Sequence, residues 1–72
     1  MTLGEDLQRA RENAGLSIDE LARITNLRVG LISMMESGDF SQCGGDTYAR
    51  GHIRNIARAM GISADSLLAI YD

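Results

Sequence analysis

The stretch that decides the fold lies at residues 17–36 and reads SIDELARITNLRVGLISMME. Ser17 and Glu20 match a capping box, in which each side chain bonds a free backbone amide at a helix start. The apolar face of the helix that follows comprises Ile18, Leu21, Ala22 and Thr25. A turn at 25–27 leads into a further helix over about 28–36, whose inward residues are Leu31, Ile32 and Met35. Two short helices at this spacing predict a helix-turn-helix, although any bundle of short helices can contain a similar pair.

The sequence on either side predicts three more helices. Thr2 and Glu5 form a second capping box before an apolar stripe, and Gly15 is placed to end that first helix. A fourth helix, capped by Asp46 or Thr47, should run to about residue 60, with an inward face of Ile53, Ile56, Ala57 and Met60. Gly61 should end it, Ser63 should cap a last short helix, and Phe40 should fold back on the core. The expected fold class is all-α, a compact domain of five helices.

Size and composition limit the range of functions. Seventy-two residues make one domain, and a net charge of −3 disfavours a free-standing nucleic-acid binder. The one cysteine excludes an internal disulfide and suits a reducing compartment. No signal peptide is evident, and the longest apolar run, residues 67–71, is too short to cross a bilayer. We therefore expect a soluble, cytoplasmic domain that is the N-terminal head of a longer chain.

The basic residues of the fourth helix form a distinct group. Arg50, Arg54 and Arg58 recur every four residues in a segment without acids, so they form one stripe. This stripe is either a solvated face that pairs with acids of the first or fifth helix, or a patch that binds an acidic surface. Gly51 lies among them in mid-helix, and close packing against the first helix is its favoured explanation.

The third helix is the place to look for DNA readout. Its outward positions would be Arg28, Val29, Gly30, Ser33 and Met34. Base readout needs bidentate side chains, and only Arg28 is of that kind, with Ser33 a lesser contributor. Met34 is adaptable apolar surface that suits a protein partner better. This face therefore has few of the side chains that a helix needs to recognise a DNA sequence.

Catalysis and metal binding find little support. Cys43, just before a helix start, could have a lowered pKa, but with His52 it has no third orienting group. One thiol and one imidazole are also too few for a structural zinc site. We expect no enzyme activity, no cofactor and no metal. His52 is then either a pH-sensitive contact or simply an exposed residue.

Two sets of residues resemble known families. Residues 16–22 (LSIDELA) and 32–38 (ISMMESG) resemble the Cro/repressor-like (XRE) helix-turn-helix class. Residues 3–11 (LGEDLQRAR), 36–40 (ESGDF) and 48–57 (YARGHIRNIA) resemble the cytoplasmic domain of RodZ-like cell-shape proteins of bacteria. Residues 43–46 (CGGD), followed by the run at 48–54, are similar to the actinobacterial branch of that family.

The RodZ-like resemblance implies a single Cro/repressor-like domain spanning 1–72, joined by a linker to one membrane-spanning helix and so anchored to the inner membrane. Its partner would be the actin-like filament protein MreB or another cell-division protein. Two aromatic positions of the fourth helix carry much of that contact in the family, and they map onto Tyr48 and His52. The stripe of Arg50, Arg54 and Arg58 would lie beside them.

Two alternatives remain open. One is a DNA-binding transcriptional regulator of the Cro/repressor class that reads DNA, weakly, through residues 28–30, 33 and 34. The other is a structural spacer or oligomerisation head that associates through Val29, Leu31 and Met34.

Overall fold

The structure, a computed structural model, describes residues 2–71. Its regular elements are α1 (Leu3–Asn13), α2 (Ile18–Thr25), α3 (Val29–Glu36), α4 (Asp46–Ala59) and α5 (Asp65–Tyr71). The described residues include no strand. The predicted all-α fold with five helices is confirmed.

Both predicted capping boxes are present. The amide of Glu5 donates to Thr2 Oγ1 at 3.2 Å, and the amide of Thr2 donates to Glu5 Oε1 at 2.9 Å. Ser17 and Glu20 repeat this pair of bonds at 3.0 and 2.9 Å. The hydrogen bonds from the capping residues, the backbone amide first, lower the pKa of Glu5 and of Glu20. These local bonds explain why α1 and α2 begin where the sequence predicts.

The starts of α3 and α4 differ from the prediction. Asp46 is the first residue of α4 and Gly45 is its cap, with no side-chain capping bond, so the expected cap at Asp46 or Thr47 is wrong. Asp46 instead places its charge at the positive end of the helix dipole. α3 begins at Val29, one residue later than expected, with Arg28 in the capping position.

The observed helix ends agree more closely with the prediction. Gly15 and Gly61 adopt left-handed conformations, with φ of +74° and +73°, directly after the caps of α1 and α4. This backbone region costs glycine little, which is why glycine commonly ends helices. The amide of Asp65, the first residue of α5, donates to Ser63 Oγ at 3.2 Å, so Ser63 supports the helix start from one residue before the capping position.

The turn between α2 and α3 contains Asn26, Leu27 and Arg28. Asn26 takes the left-handed conformation, φ 62°, which asparagine tolerates better than most residues. The amide of Leu27 donates to Ala22 O at 3.1 Å, and Asn55 Nδ2 of α4 donates to Thr25 O at 2.9 Å. These bonds hold the helix-turn-helix in place and tie its first helix to α4.

The core is built from the inward faces of all five helices. α1 packs on α3 and α5, α2 packs on α3 and α4, and α4 packs on α5. The buried apolar residues of the core are Leu3, Leu7, Leu21, Ala22, Ile32, Met35, Cys43, Ala49, Ile53, Ile56, Ala57, Met60 and Leu67. The predicted inward face of α4 is confirmed. Phe40 is half-buried and meets Tyr71 edge-on, with ring centroids 5.5 Å apart. A Cα radius of gyration of 10.6 Å, against about 11 Å for a compact chain of this length, confirms a compact fold.

One ion pair joins α1 to α3 at the edge of this core. Arg11 Nε donates to Glu36 Oε2 at 2.8 Å, and Arg11 Nη2 donates to Glu36 Oε1 at 3.2 Å. A third bond runs from Arg11 Nη1 to Leu16 O at 2.9 Å. The two side chains are only 11% and 8% exposed. The hydrogen bond with Glu36 raises the pKa of Arg11, so the guanidinium stays charged.

Gly4 lies at a second point where α1 and α3 meet. A Cβ atom at this position would meet the backbone of α3's end, lying 2.8 Å from the carbonyl carbon of Glu36 and 2.9 Å from the amide nitrogen of Gly38. Backbone atoms cannot move aside as a flexible side chain can. The two helices therefore approach this closely only because residue 4 has no side chain.

Candidate functional site

Tyr48 and His52 lie one turn apart on α4, on the flank predicted to bind a partner. Tyr48 is 64% exposed, and it is the most exposed of the large apolar side chains in the described part of the chain. Its ring lies beside the loop at Gly44, where a Cβ atom would stand 3.5 Å from Tyr48 Cδ2. His52 is half-buried. Tyr48 is thus available to another molecule without any change in the fold.

The arginine stripe divides into two parts. Arg50 Nε donates to Asp46 Oδ2 at 2.9 Å, and its guanidinium carbon lies 5.3 Å from the centre of the Tyr71 ring. The hydrogen bond from Arg50 lowers the pKa of Asp46. Arg54 and Arg58 are exposed, and neither forms an ion pair with a residue in the range 2–71. Arg50 therefore supports the junction of α4 with α5, while Arg54 and Arg58 face solvent.

These contacts bear on the two interpretations of the stripe. The ion pair described for Arg50 is with Asp46, on its own helix. Arg50 packs against α5 through the ring of Tyr71. The interpretation as a solvated face that pairs with acids of the first or fifth helix therefore finds no ion pair for Arg54 or Arg58 among residues 2–71.

The predicted contact residues of α4 do not share one face. At about 100° per residue, Tyr48 and Arg50 are about 160° apart around the helix, and Tyr48 and Arg58 are about 80° apart. The bond from Asn55 to Thr25 shows that α2 lies on the side nearer Tyr48, whereas Arg50 lies against α5. A flat partner surface can reach Tyr48 together with Arg58, but not together with Arg50.

Gly51 has no packing role within the domain. It is exposed, and a Cβ atom built on it would have no neighbour within 4 Å. The expected close packing against α1 is therefore wrong; the glycine with that role is Gly4. Glycine in the middle of a helix costs about 1 kcal/mol relative to alanine, and nothing in the fold offsets this cost at Gly51.

The outward residues of α3 form the second candidate surface. Arg28, Gly30 and Ser33 are exposed, Val29 is 43% exposed and Met34 is half-buried. An open groove of about 560 Å³ runs beside them, lined by Asn26, Leu27, Arg28, Gly30, Leu31, Met34 and Gln42. Of the outward residues of α3, only Arg28 has a bidentate hydrogen-bonding side chain; two further side chains of that kind, Asn26 and Gln42, line the groove beside it.

Cys43 does not have the environment of a nucleophile. It is 5% exposed, and burial, with a smaller contribution from the charge of Asp39, raises the pKa of its thiol. The lowered pKa expected from its position before a helix start is therefore wrong, because the side chain points into the core rather than toward the helix terminus. Within residues 2–71 there is no group of three or more residues of the metal-ligating types.

The sequence did not predict the two features that join α1 to α3, the ion pair of Arg11 with Glu36 and the close approach at Gly4. Arg11 follows the inward Leu7 by four residues, and Glu36 follows the inward Ile32 by four. One charged residue at an inward position on each of two helices is a signal that they pair. No comparable signal distinguishes Gly4 from the other glycines.

The sequence and the fold match known proteins. A helix-turn-helix domain family matches residues 6–67, and the chain belongs to that family. The cytoskeleton protein RodZ of Streptococcus pneumoniae (strain ATCC BAA-255 / R6) is 37% identical over 71 residues, which are 99% of this chain and 26% of RodZ. Within its class the chain is therefore a RodZ-like helix-turn-helix domain. It spans about a quarter of the length of this relative.

A solved structure supports the same assignment. YmfM from Staphylococcus aureus, provisionally described as a DNA-binding membrane protein, superposes with a TM-score of 0.84 at 29% identity. The match covers 96% of this chain and 84% of that one. Among the helices formed by residues 2–71, none has the length and hydrophobicity that a membrane span requires.

Proposed function

We propose that this domain is a non-catalytic binding module of a RodZ-like cell-shape factor and that its partner is the actin-like filament protein MreB. The contact residues are Tyr48 and His52, with Arg54 and Arg58 next to them. Arg50 contributes by holding α4 against α5. The domain works in the cytoplasm, and segments outside this chain anchor the full-length protein to the inner membrane. The likeness to the cytoskeleton protein RodZ supports the cell-shape role.

The exposure of Tyr48 is the observation that carries this proposal. A tyrosine that is 64% exposed contributes little to the core of so small a domain. Tyrosine is enriched at protein interfaces, where it combines a large apolar area with a hydroxyl that can bond a partner. The side chain lies on a regular helix, so it is presented in a defined orientation without loss of backbone freedom on binding.

Charge supports a protein partner with an acidic surface. The domain carries a net charge of −3, yet Arg54 and Arg58 stand together on the outward side of α4. Such a local patch steers an acidic partner toward this helix and disfavours approach at the acidic remainder of the surface.

The test is the affinity of a Tyr48→Ala variant for polymerised MreB, measured by co-sedimentation. Loss of a central interface tyrosine typically costs 2 kcal/mol or more, so we expect binding to weaken at least about tenfold. The melting temperature should stay within about 4 °C of the wild type, because exposed substitutions change stability by about 0.5 kcal/mol or less.

Ile70→Ala is the matched control, since Ile70 is also an exposed apolar residue, 48% exposed, but lies on α5. It should bind as the wild type does. Unfolding of Tyr48→Ala would identify Tyr48 as a core residue, and equal binding by both variants would move the interface away from this flank.

The description of YmfM as DNA-binding favours one second candidate, a regulator that contacts DNA through α3. Arg28, exposed at the start of that helix, is the residue best placed to meet a base or a phosphate. An NMR titration with mixed-sequence duplex DNA at low salt tests this function. Salt-sensitive shifts at residues 28–34 that disappear in Arg28→Met would support it, and unchanged spectra at millimolar DNA would exclude it.

A further inference from the structure

Gly51 occupies the centre of the outward side of α4. At about 100° per residue, Tyr48 lies about 60° from it on one side, and Arg58 and Arg54 lie about 20° and 60° from it on the other. It is thus the position between the exposed ring and the two exposed arginines. The residues one turn away along the helix, Thr47 and Asn55, are exposed and half-buried respectively.

The fold itself does not require glycine at this position. Gly51 is absent from the positive-φ residues of the chain, so its backbone suits any residue. No atom lies within 4 Å of where a Cβ would be, so an alanine would meet nothing. Gly4, which has the closely packed backbone of α3 against it, shows the contrasting case in the same domain.

Two other features of this side of α4 also lower the stability of the isolated domain. Arg54 and Arg58 are like charges four residues apart, an arrangement that destabilises a helix. Tyr48 exposes most of an aromatic ring to water. Three features that weaken the free domain and lie on one side of one helix are explained together if another molecule covers that side.

We propose that Gly51 is the point at which the filament partner comes closest to α4, with its surface resting directly on the helix backbone. This inference rests on the proposed function and adds to it the residue that sets the distance of approach. The occupant is a protein surface that accepts Tyr48 beside the contact and offers carboxylates to Arg54 and Arg58. Without a side chain at residue 51, the ring and both guanidinium groups can engage the same surface.

The experiment compares Gly51→Ala with Gly30→Ala in co-sedimentation with polymerised MreB, together with thermal unfolding of each variant. Gly30 is also an exposed helical glycine with no atom within 4 Å of a Cβ, but it lies on α3. Because alanine is the better helix former, Gly51→Ala should melt about 4–8 °C above the wild type. Gly30 lies in the first turn of its helix, so its variant should gain less.

Binding should change in the opposite direction from stability. A methyl group forced into a close contact should weaken binding by Gly51→Ala about tenfold, and the bulkier Gly51→Gln should weaken it further. Gly30→Ala should bind as the wild type does. A protein that is more stable and yet binds less well cannot owe its weaker binding to damage of the fold.

Two results would overturn the proposal in different ways. If the wild type binds, Tyr48→Ala does not, and Gly51→Ala binds normally, then Gly51 plays no part and the proposed function stands. If the wild type itself does not bind polymerised MreB, the proposed function fails and this inference fails with it.

Discussion

Replacing Glu36 with glutamine tests how much the ion pair between α1 and α3 contributes to stability. Glutamine keeps the size and shape of the side chain but removes its charge. The Glu36 carboxylate receives two hydrogen bonds from Arg11, at 2.8 and 3.2 Å. In Glu36→Gln the guanidinium keeps its bond to Leu16 O but is left, largely buried, without a counter-charge.

The expected loss follows from that burial. Removing one partner of a buried ion pair costs about 3–5 kcal/mol, because the remaining charge is uncompensated. The side chains retain 11% and 8% exposure, which places the expected cost at the lower end, about 3 kcal/mol. At about 0.05–0.15 kcal/mol per residue, a domain of this size has a stability of about 4–11 kcal/mol, so the variant should lose between a quarter and most of it.

Thermal and urea unfolding followed by far-ultraviolet circular dichroism measure this loss. We expect the melting temperature to fall by about 12–24 °C, since each kcal/mol corresponds to about 4–8 °C in a domain of this size. Pairing the variant with Arg11→Met completes a double-mutant cycle. The double variant should be more stable than the sum of the two losses predicts, because it leaves no unpaired charge.

A small effect would refute this reasoning. If Glu36→Gln loses less than about 1 kcal/mol, the pair behaves as an exposed ion pair does. The same conclusion would follow if about 0.5 M salt removed the difference between variant and wild type, because salt screens exposed charges far more than buried ones.

Two further changes have expected outcomes that the same unfolding measurements check. Gly4→Ala should destabilise the domain by about 1–3 kcal/mol, because its Cβ would overlap backbone atoms of Glu36 and Gly38; a stability equal to the wild type's would show that α1 and α3 can separate freely. Glu20 has a pKa lowered by its bond from Ser17, so it stabilises the fold above its ordinary pKa of about 4.3, and this contribution disappears as the pH falls through the lowered value. In Glu20→Gln the urea midpoint should therefore fall less between about pH 5 and pH 3 than in the wild type, and parallel pH curves would contradict this role of the capping box.

The helices were predictable because their causes lie within a few residues of each other. The capping boxes of α1 and α2 pair residues three apart, and the buried face of α4 repeats at helical spacing. Gly15 and Gly61 end their helices through their own backbone freedom. The start of α4 was less predictable, since Asp46 has a good capping side chain but Gly45 precedes it in the capping position.

The candidate site was only partly predictable. The sequence predicted that Tyr48, His52, Arg54 and Arg58 share one helix, and the structure shows Tyr48 and both arginines exposed. It also placed Arg50 with them, whereas in the structure Arg50 is held by Asp46 and Tyr71. Spacing along one helix determines which residues are neighbours on it but not which of them another helix covers.

The glycines show most clearly what the sequence by itself determined and what only the tertiary structure decided. The sequence determined that Gly15 and Gly61 end helices, because that role depends on their own φ angles. Only the tertiary structure decided that Gly4 is needed where α1 packs on α3 and that Gly51 has no packing role within the domain. Cys43 follows the same rule, since its raised pKa comes from burial by distant parts of the chain. Local hydrogen bonds and backbone angles are set by near neighbours, whereas contact and burial depend on residues that only folding brings together.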